Sequence, residues 1–192
     1  MVRVSVTGTR GGIGCSTLAW AIARELEAFA LLDYSEKQGV HWIIGEPELD
    51  FTWPKTLDSG LGGKNLLKLL LHAKTVEGVA ILSGGRPINF ENYQNETAMV
   101  FDGEIEADYQ IRLTTNAPQD IQNDISTLEG EILVLRKVRG GIPVSLINRN
   151  FGYIYPSEYS VGKSLSNGLG LHSKSKIQLV ARQICADISA NI

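Results

Sequence analysis

Residues 6–17 read VTGTRGGIGCST, and the reading of this stretch decides the reading of the whole chain. A β-branched run, VRVSVTG at 2–8, leads into it. STLAWAIARELEAFA at 16–30 follows, with Leu18, Ala19, Ile22, Ala23 and Leu26 at helical spacing. The pattern is strand, glycine loop, helix. In such a loop, successive backbone N–H groups converge on an anion at the helix N-terminus, and glycine permits the tight turns and the close approach. Gly11, Gly12 and Gly14 meet that need, and Ser16 and Thr17 stand where a hydroxyl either holds magnesium or caps the helix. The nucleotide-binding pattern G-x-x-x-x-G-K-[ST] nevertheless fails twice: Thr9 takes the first glycine position and Cys15 the lysine position.

Outward from the loop, ALLDY at 30–34 predicts a second buried strand ending at an acidic residue, Asp33, and KQGVHWIIG at 37–45 a short helix or turn. Prolines and glycines make 46–63 a loop-rich connection. KNLLKLLLHAK at 64–74 predicts a helix and GVAILSGG at 78–85 a strand. The stretch 89–107 reads as partly helical, DYQIRLTT at 108–115 as a strand, 118–128 as a helix opened by proline, and 130–138 as a strand. Strands that alternate with helices predict an α/β fold: a doubly wound, mostly parallel sheet with helices on both faces, in one domain spanning 1–192. Beyond residue 139 the chain is rich in glycine, serine and asparagine, with short strands expected at 142–147 and 151–155. The closing stretch places Ile177, Val180, Ile184 and Ile188 on one side of a helix.

The 192 residues are 43% hydrophobic and 20% charged, enough apolar material for a sizeable core. Eighteen basic against 21 acidic residues leave a formal charge of -3, which argues against strong nucleic-acid binding. No apolar run approaches the roughly 18 residues a membrane span needs, and no secretion signal is evident, so a cytoplasmic location is expected. Cys15 and Cys185 are too few for a disulfide framework or a zinc site, and His41, His72 and His172 show no metal spacing.

The segment RGGIGCST at 10–17 resembles the deviant phosphate loop of the ParA/MinD partition ATPases, K-G-G-x-G-K-[ST]. Arg10 stands at the position of that family's signature lysine, which reaches across a dimer. Within the family, the loop is similar to the decayed R-G-G-x-G-A-S form of the CpaE-like or TadZ-like branch, encoded near pilus and secretion machinery. LLDY at 31–34 resembles the D-x-D segment after the second strand. DFTWPKTL at 50–57 is similar to a tryptophan-proline element, and the later order of GGIPV, YIYPSE and an apolar helix also fits. The resemblance covers most of the chain, and the first 45 residues carry its specific motifs.

The resemblance implies a phosphate site at Arg10, Gly11, Gly12, Gly14, Cys15, Ser16, Thr17 and Asp33. Three departures bear on chemistry. Cys15 removes the cation between β and γ phosphates, a charged hydrogen bond worth ~1.5 to 3 kcal/mol, or roughly 10- to 100-fold in affinity. Ser35 replaces the second acid of D-x-D, and at the strand end where the family holds its metal the sequence offers Thr114 or Thr115. The expectation is a non-catalytic protein with no metal site, binding ATP or ADP weakly if at all. It would be a homodimer that localises or scaffolds pilus or secretion partners and is recruited through them to a pole or membrane site. The alternative is a switch of the partition or septum-site type, in which retained nucleotide controls dimerisation. A third reading makes Cys15 a nucleophilic thiol, against a small residue that fills the lysine's place. The terminal apolar stripe is read as packing on the sheet, against a membrane-targeting helix.

Overall fold

The computed structural model describes residues 2–34, 39–44, 73–83, 98–122, 130–166 and 171–191. Its strands are β1 (Arg3–Gly8), β2 (Ala30–Asp33), β3 (Lys74–Val76), β4 (Val79–Ser83), β5 (Met99–Asp102), β6 (Tyr109–Thr115), β7 (Ile132–Lys137) and β8 (Tyr153–Pro156). Helices are α1 (Cys15–Glu25), α2 (Gly39–Ile43), α3 (Pro118–Gln122), α4 (Tyr159–Ser166) and α5 (Lys176–Ala190), with a 3-10 turn at Val144–Leu146. The strands form one sheet in the order β3-β4-β2-β5-β1-β6-β7-β8. Every neighbouring pair is parallel except β3–β4. The expected mostly parallel α/β fold is the one observed.

Parallel strands covered on both faces read as continuous apolar runs, and β2 (ALLD) and β5 (MVFD) are buried at every position. In α1, six consecutive residues from Leu18 to Ala23 are buried. Such all-round burial follows from its place between the sheet and α5. Across that second contact, Gln178 donates to the Ala21 carbonyl at 3.1 Å and to Glu25 at 2.8 Å, and Arg182 pairs with Glu25 at 3.0 Å. Ile177, Val180, Ile184 and Ile188 are buried on this side of α5, so the terminal stripe packs inward as expected. Ser175 caps α5, accepting from the Gln178 N–H.

Three expectations need correction. Within 89–107, residues 99–102 form β5, a central strand, where partial helix was expected; three apolar residues and an acid are too few to separate the two periods, and pairing on both edges decides. Lys74, expected at a helix end, begins β3, which turns back on β4 through Glu77 and Gly78. Both have positive φ, 48° and 85°, so this two-residue turn has the twist that antiparallel hairpins prefer. The strand expected at 142–147 is instead the 3-10 turn, introduced by Pro143, which lacks a ladder donor. Side-chain amides replace the ladder there: Asn116 donates to the Ile142 carbonyl and accepts from the Val138 N–H. Residues 159–166, for which no element was expected, form α4. The strand expected at 151–155 appears as β8. The connection 46–63, with its FTWP element, and nearly all of the helix expected at 64–74 lie outside the described residues.

Since Phe101 is fully buried in the middle of the sheet, Phe101→Ala should destabilise the fold by about 3–5 kcal/mol, read as a drop in urea midpoint.

Candidate functional site

The site grows from the β1–α1 junction. Gly14 holds φ 107°, a left-handed conformation, and stands as the N-cap of α1 with no side-chain cap, while the first turn of α1 carries no acid. The helix therefore begins with backbone N–H groups and a positive dipole end facing outward. At Gly8 the requirement is space: a Cβ there would lie 2.4 Å from Cys15 Sγ and 2.8 Å from Ile13 Cδ1. Cys15 thus packs back over the end of β1.

This junction opens on a cleft of about 810 Å³. Arg10, Gly11, Gly12, Gly14, Cys15, Ser16 and Thr17 all line it. The eighth expected residue, Asp33, is not among the lining residues. It is fully buried at the end of β2, where it accepts from the Val40 N–H at 3.0 Å and so holds the first turn of α2.

The opposite wall is Asp102, with Gly103 and Glu104. Asp102 ends β5 and stands in register with Val6 of β1 and with Asp33 of β2. It is 2% exposed, with the Ser16 hydroxyl and the Asp33 carboxyl beside it, and its Oδ2 has no hydrogen-bond partner among the described residues. Burial first, then the neighbouring Asp33 charge, push the Asp102 carboxyl up to about 7. The sequence reading missed this residue because it read 89–107 as partly helical and placed no strand there. It assigned the acid's place to Thr114 and Thr115 on β6. Those threonines do something else: Thr114 bonds Thr9, and Thr115 donates to Asp120 and accepts from the Ala117 N–H. The signal that could have found Asp102 was an apolar run ending in an acid and then glycine.

The loop that this one resembles carries cations at the positions of Arg10 and Cys15. Cys15 contributes none, and its thiol is pushed up to about 12, chiefly by burial and then by the Asp102 charge. It remains protonated and neutral, which removes the case for a nucleophilic thiolate. Arg10 pairs with Asp120, whose side chain is fully buried at the start of α3, and this contact raises the arginine's pKa. A buried carboxylate left unpaired is costly, so the pairing holds Arg10 against Asp120. Ser35 lies outside the described residues.

The residues present fit a magnesium–nucleotide in kind. Amides and open space at Gly11 and Gly12 suit phosphate, and Ser16 with the unpartnered Asp102 oxygen suits a cation.

No family profile and no curated protein sequence matches the chain. Among solved structures, a ParA-family ATPase from Chlorobium tepidum TLS is similar at 14% identity, over 96% of this chain and 98% of that one, with a TM-score of 0.67. A plasmid partition protein from Borrelia burgdorferi B31, bound to AMPPNP, aligns over 100% and 99% at 11% identity and 0.70. MinD in the MinC:MinD cell division complex of Aquifex aeolicus is matched by an alignment over 97% and 96%, at 14% identity and 0.68. The chain therefore has the α/β fold of the ParA and MinD ATPases. Among the described residues, no helix is long and apolar enough to cross a membrane.

The acid pair has a consequence for stability. A carboxyl whose folded pKa is raised keeps its proton while the unfolded chain releases it, so stability falls as pH rises from about 4 to about 7 and then levels. Asp102→Asn removes this penalty. Its melting temperature relative to the natural protein should therefore climb by several degrees between pH 4.5 and 8, measured by calorimetry; a constant offset would contradict the assignment.

Proposed function

We propose that this chain is a ParA/MinD-type protein that holds the phosphates of ATP or ADP at residues 10–17 without hydrolysing them. It would act by localising or scaffolding protein partners. The observation that carries the proposal is the cleft itself: an uncapped helix N-terminus, glycine amides and the Ser16 hydroxyl on one wall, the Asp102 carboxyl on the other, and a neutral thiol where a cation belongs.

In this reading the amides from Gly11 to Thr17 bind phosphate oxygens, and Ser16 and Asp102 hold magnesium, which supplies charge neutralisation when bound. Asp33 steadies Asp102 and ties α2 to the site. Phosphoryl transfer depends on positioning and on cations around the transferred group. With Cys15 neutral and Arg10 committed to Asp120, the loop lacks the charge that would develop the transition state. The CpaE-like or TadZ-like branch, with a pilus or secretion role and a cytoplasmic homodimer recruited through its partners, is supported by the RGGIGCST, LLDY and late-chain segments. One domain over 1–192 accords with the near-complete overlap with the ParA and MinD chains.

A second reading is favoured by Asp102. An acid retained beside Ser16 is what a nucleotide-controlled switch needs, so bound ATP would set the oligomeric state even without turnover. Light scattering with and without ATP separates a switch from a constitutive scaffold.

Calorimetry with ATP and ADP, with and without magnesium, tests the core of the proposal. The natural chain should bind weakly, and Cys15→Lys should bind roughly 10- to 100-fold more tightly. No phosphate release above the buffer background is expected from the natural chain. Turnover comparable with that of an ordinary partition ATPase would reject the non-catalytic reading.

A further inference from the structure

With position 15 neutral and Arg10 facing Asp120, the loop still touches one more cation, and it comes from a distant strand. Arg136 stands near the C-terminal end of β7, in register with Thr115 on β6 and Tyr155 on β8. Its Nη1 donates to the Ile13 carbonyl at 2.9 Å, and its Nη2 donates to Ser157 Oγ at 2.7 Å. Nη1 also lies 3.3 Å from where a Cβ on Gly14 would stand, so Gly14 leaves room for the guanidinium. Among the described residues, both hydrogen bonds go to neutral oxygens, and the positive charge is not cancelled by a carboxylate as that of Arg10 is.

The geometry of one peptide turns this contact into an effect on the cleft. The Ile13–Gly14 peptide is trans, so its C=O and N–H point in opposite directions. With the carbonyl drawn back onto Arg136, the Gly14 N–H is directed away from the guanidinium, and Gly14 lines the cleft. A charged donor on the carbonyl also polarises the peptide and makes its N–H a stronger donor.

We propose that Arg136 is the relocated cation of this phosphate loop: a positioning residue, outside the cleft, that aims and polarises the Gly14 N–H toward a bound diphosphate. The proposal rests on the reading of residues 10–17 as a phosphate site. It adds that affinity there depends on a guanidinium supplied by β7. Arg136→Lys keeps the charge but not the planar fork that spans Ile13 and Ser157, so it should restore binding only in part.

The test uses inorganic pyrophosphate with the full chain, followed by calorimetry and by the amide resonance of Gly14. In the natural chain, pyrophosphate should move the Gly14 amide proton downfield. Arg136→Gln should weaken binding about tenfold and flatten its dependence on salt, and most of the Gly14 shift should disappear, with unfolding midpoints used to verify the fold. Equal affinity and an equal Gly14 shift in Arg136→Gln would overturn the role of Arg136 and leave the phosphate site standing. Absence of pyrophosphate binding by both the natural chain and Cys15→Lys would overturn the phosphate site itself, and this proposal with it. If Arg136→Gln does not fold, Arg136→Lys decides: weaker binding with a reduced Gly14 shift supports the role, and values unchanged from the natural chain reject it.

Discussion

The cleft depends on one pairing, the parallel insertion of Met99–Asp102 between β1 and β2. Because the three strands run in the same direction and in register, their C-terminal ends come out together: Val6 and the loop beyond it, Asp33, and Asp102. Parallel sheets bring chain segments that are far apart in sequence to a common edge, and that edge is where open α/β folds bind ligands. Asp102 lies more than 80 residues from Ser16 and still lines the same cleft. Without β5 in the middle, the cleft would lose the wall that Asp102, Gly103 and Glu104 supply.

The charges around the loop form a consistent set. Burial, and then the neighbouring Asp33 charge, raise the Asp102 carboxyl to about 7. That same negative environment works with burial to keep Cys15 a thiol. On the other side, Arg10 neutralises the buried Asp120, which also receives the Thr115 hydroxyl and so joins the loop to the end of β6. The loop is held from behind as well, by Arg136 on the Ile13 carbonyl and by the Thr9 N–H on the Leu113 carbonyl. Its backbone is thus fixed by hydrogen bonds while its front remains open on the cleft.

The β1–loop–α1 unit was legible because each of its signals is local. Alternating β-branched residues, a run of glycines and a 3.6-residue apolar period all act within about 25 residues. The same is true of the inward stripe of α5. The segments misread were those whose structure is chosen by distant partners. Met99–Asp102 has too few residues to show a period, and it becomes a strand because both its edges are paired. Residues 142–147 have strand-like composition, yet Pro143 and the Asn116 side chain draw them into a turn.

The same division runs through the site. Amino-acid identity alone determined that the loop has glycines for an anion cradle and no lysine to match them, since both facts are matters of residue type at fixed spacing. Tertiary structure alone decided which charges surround it. Asp102 arrives from the neighbouring strand, Arg10 is turned onto Asp120, and Arg136 reaches the loop from two strands away. The physical reason is that Coulombic and hydrogen-bond energies depend on separation in space, and only packing of the sheet turns separation along the chain into contact.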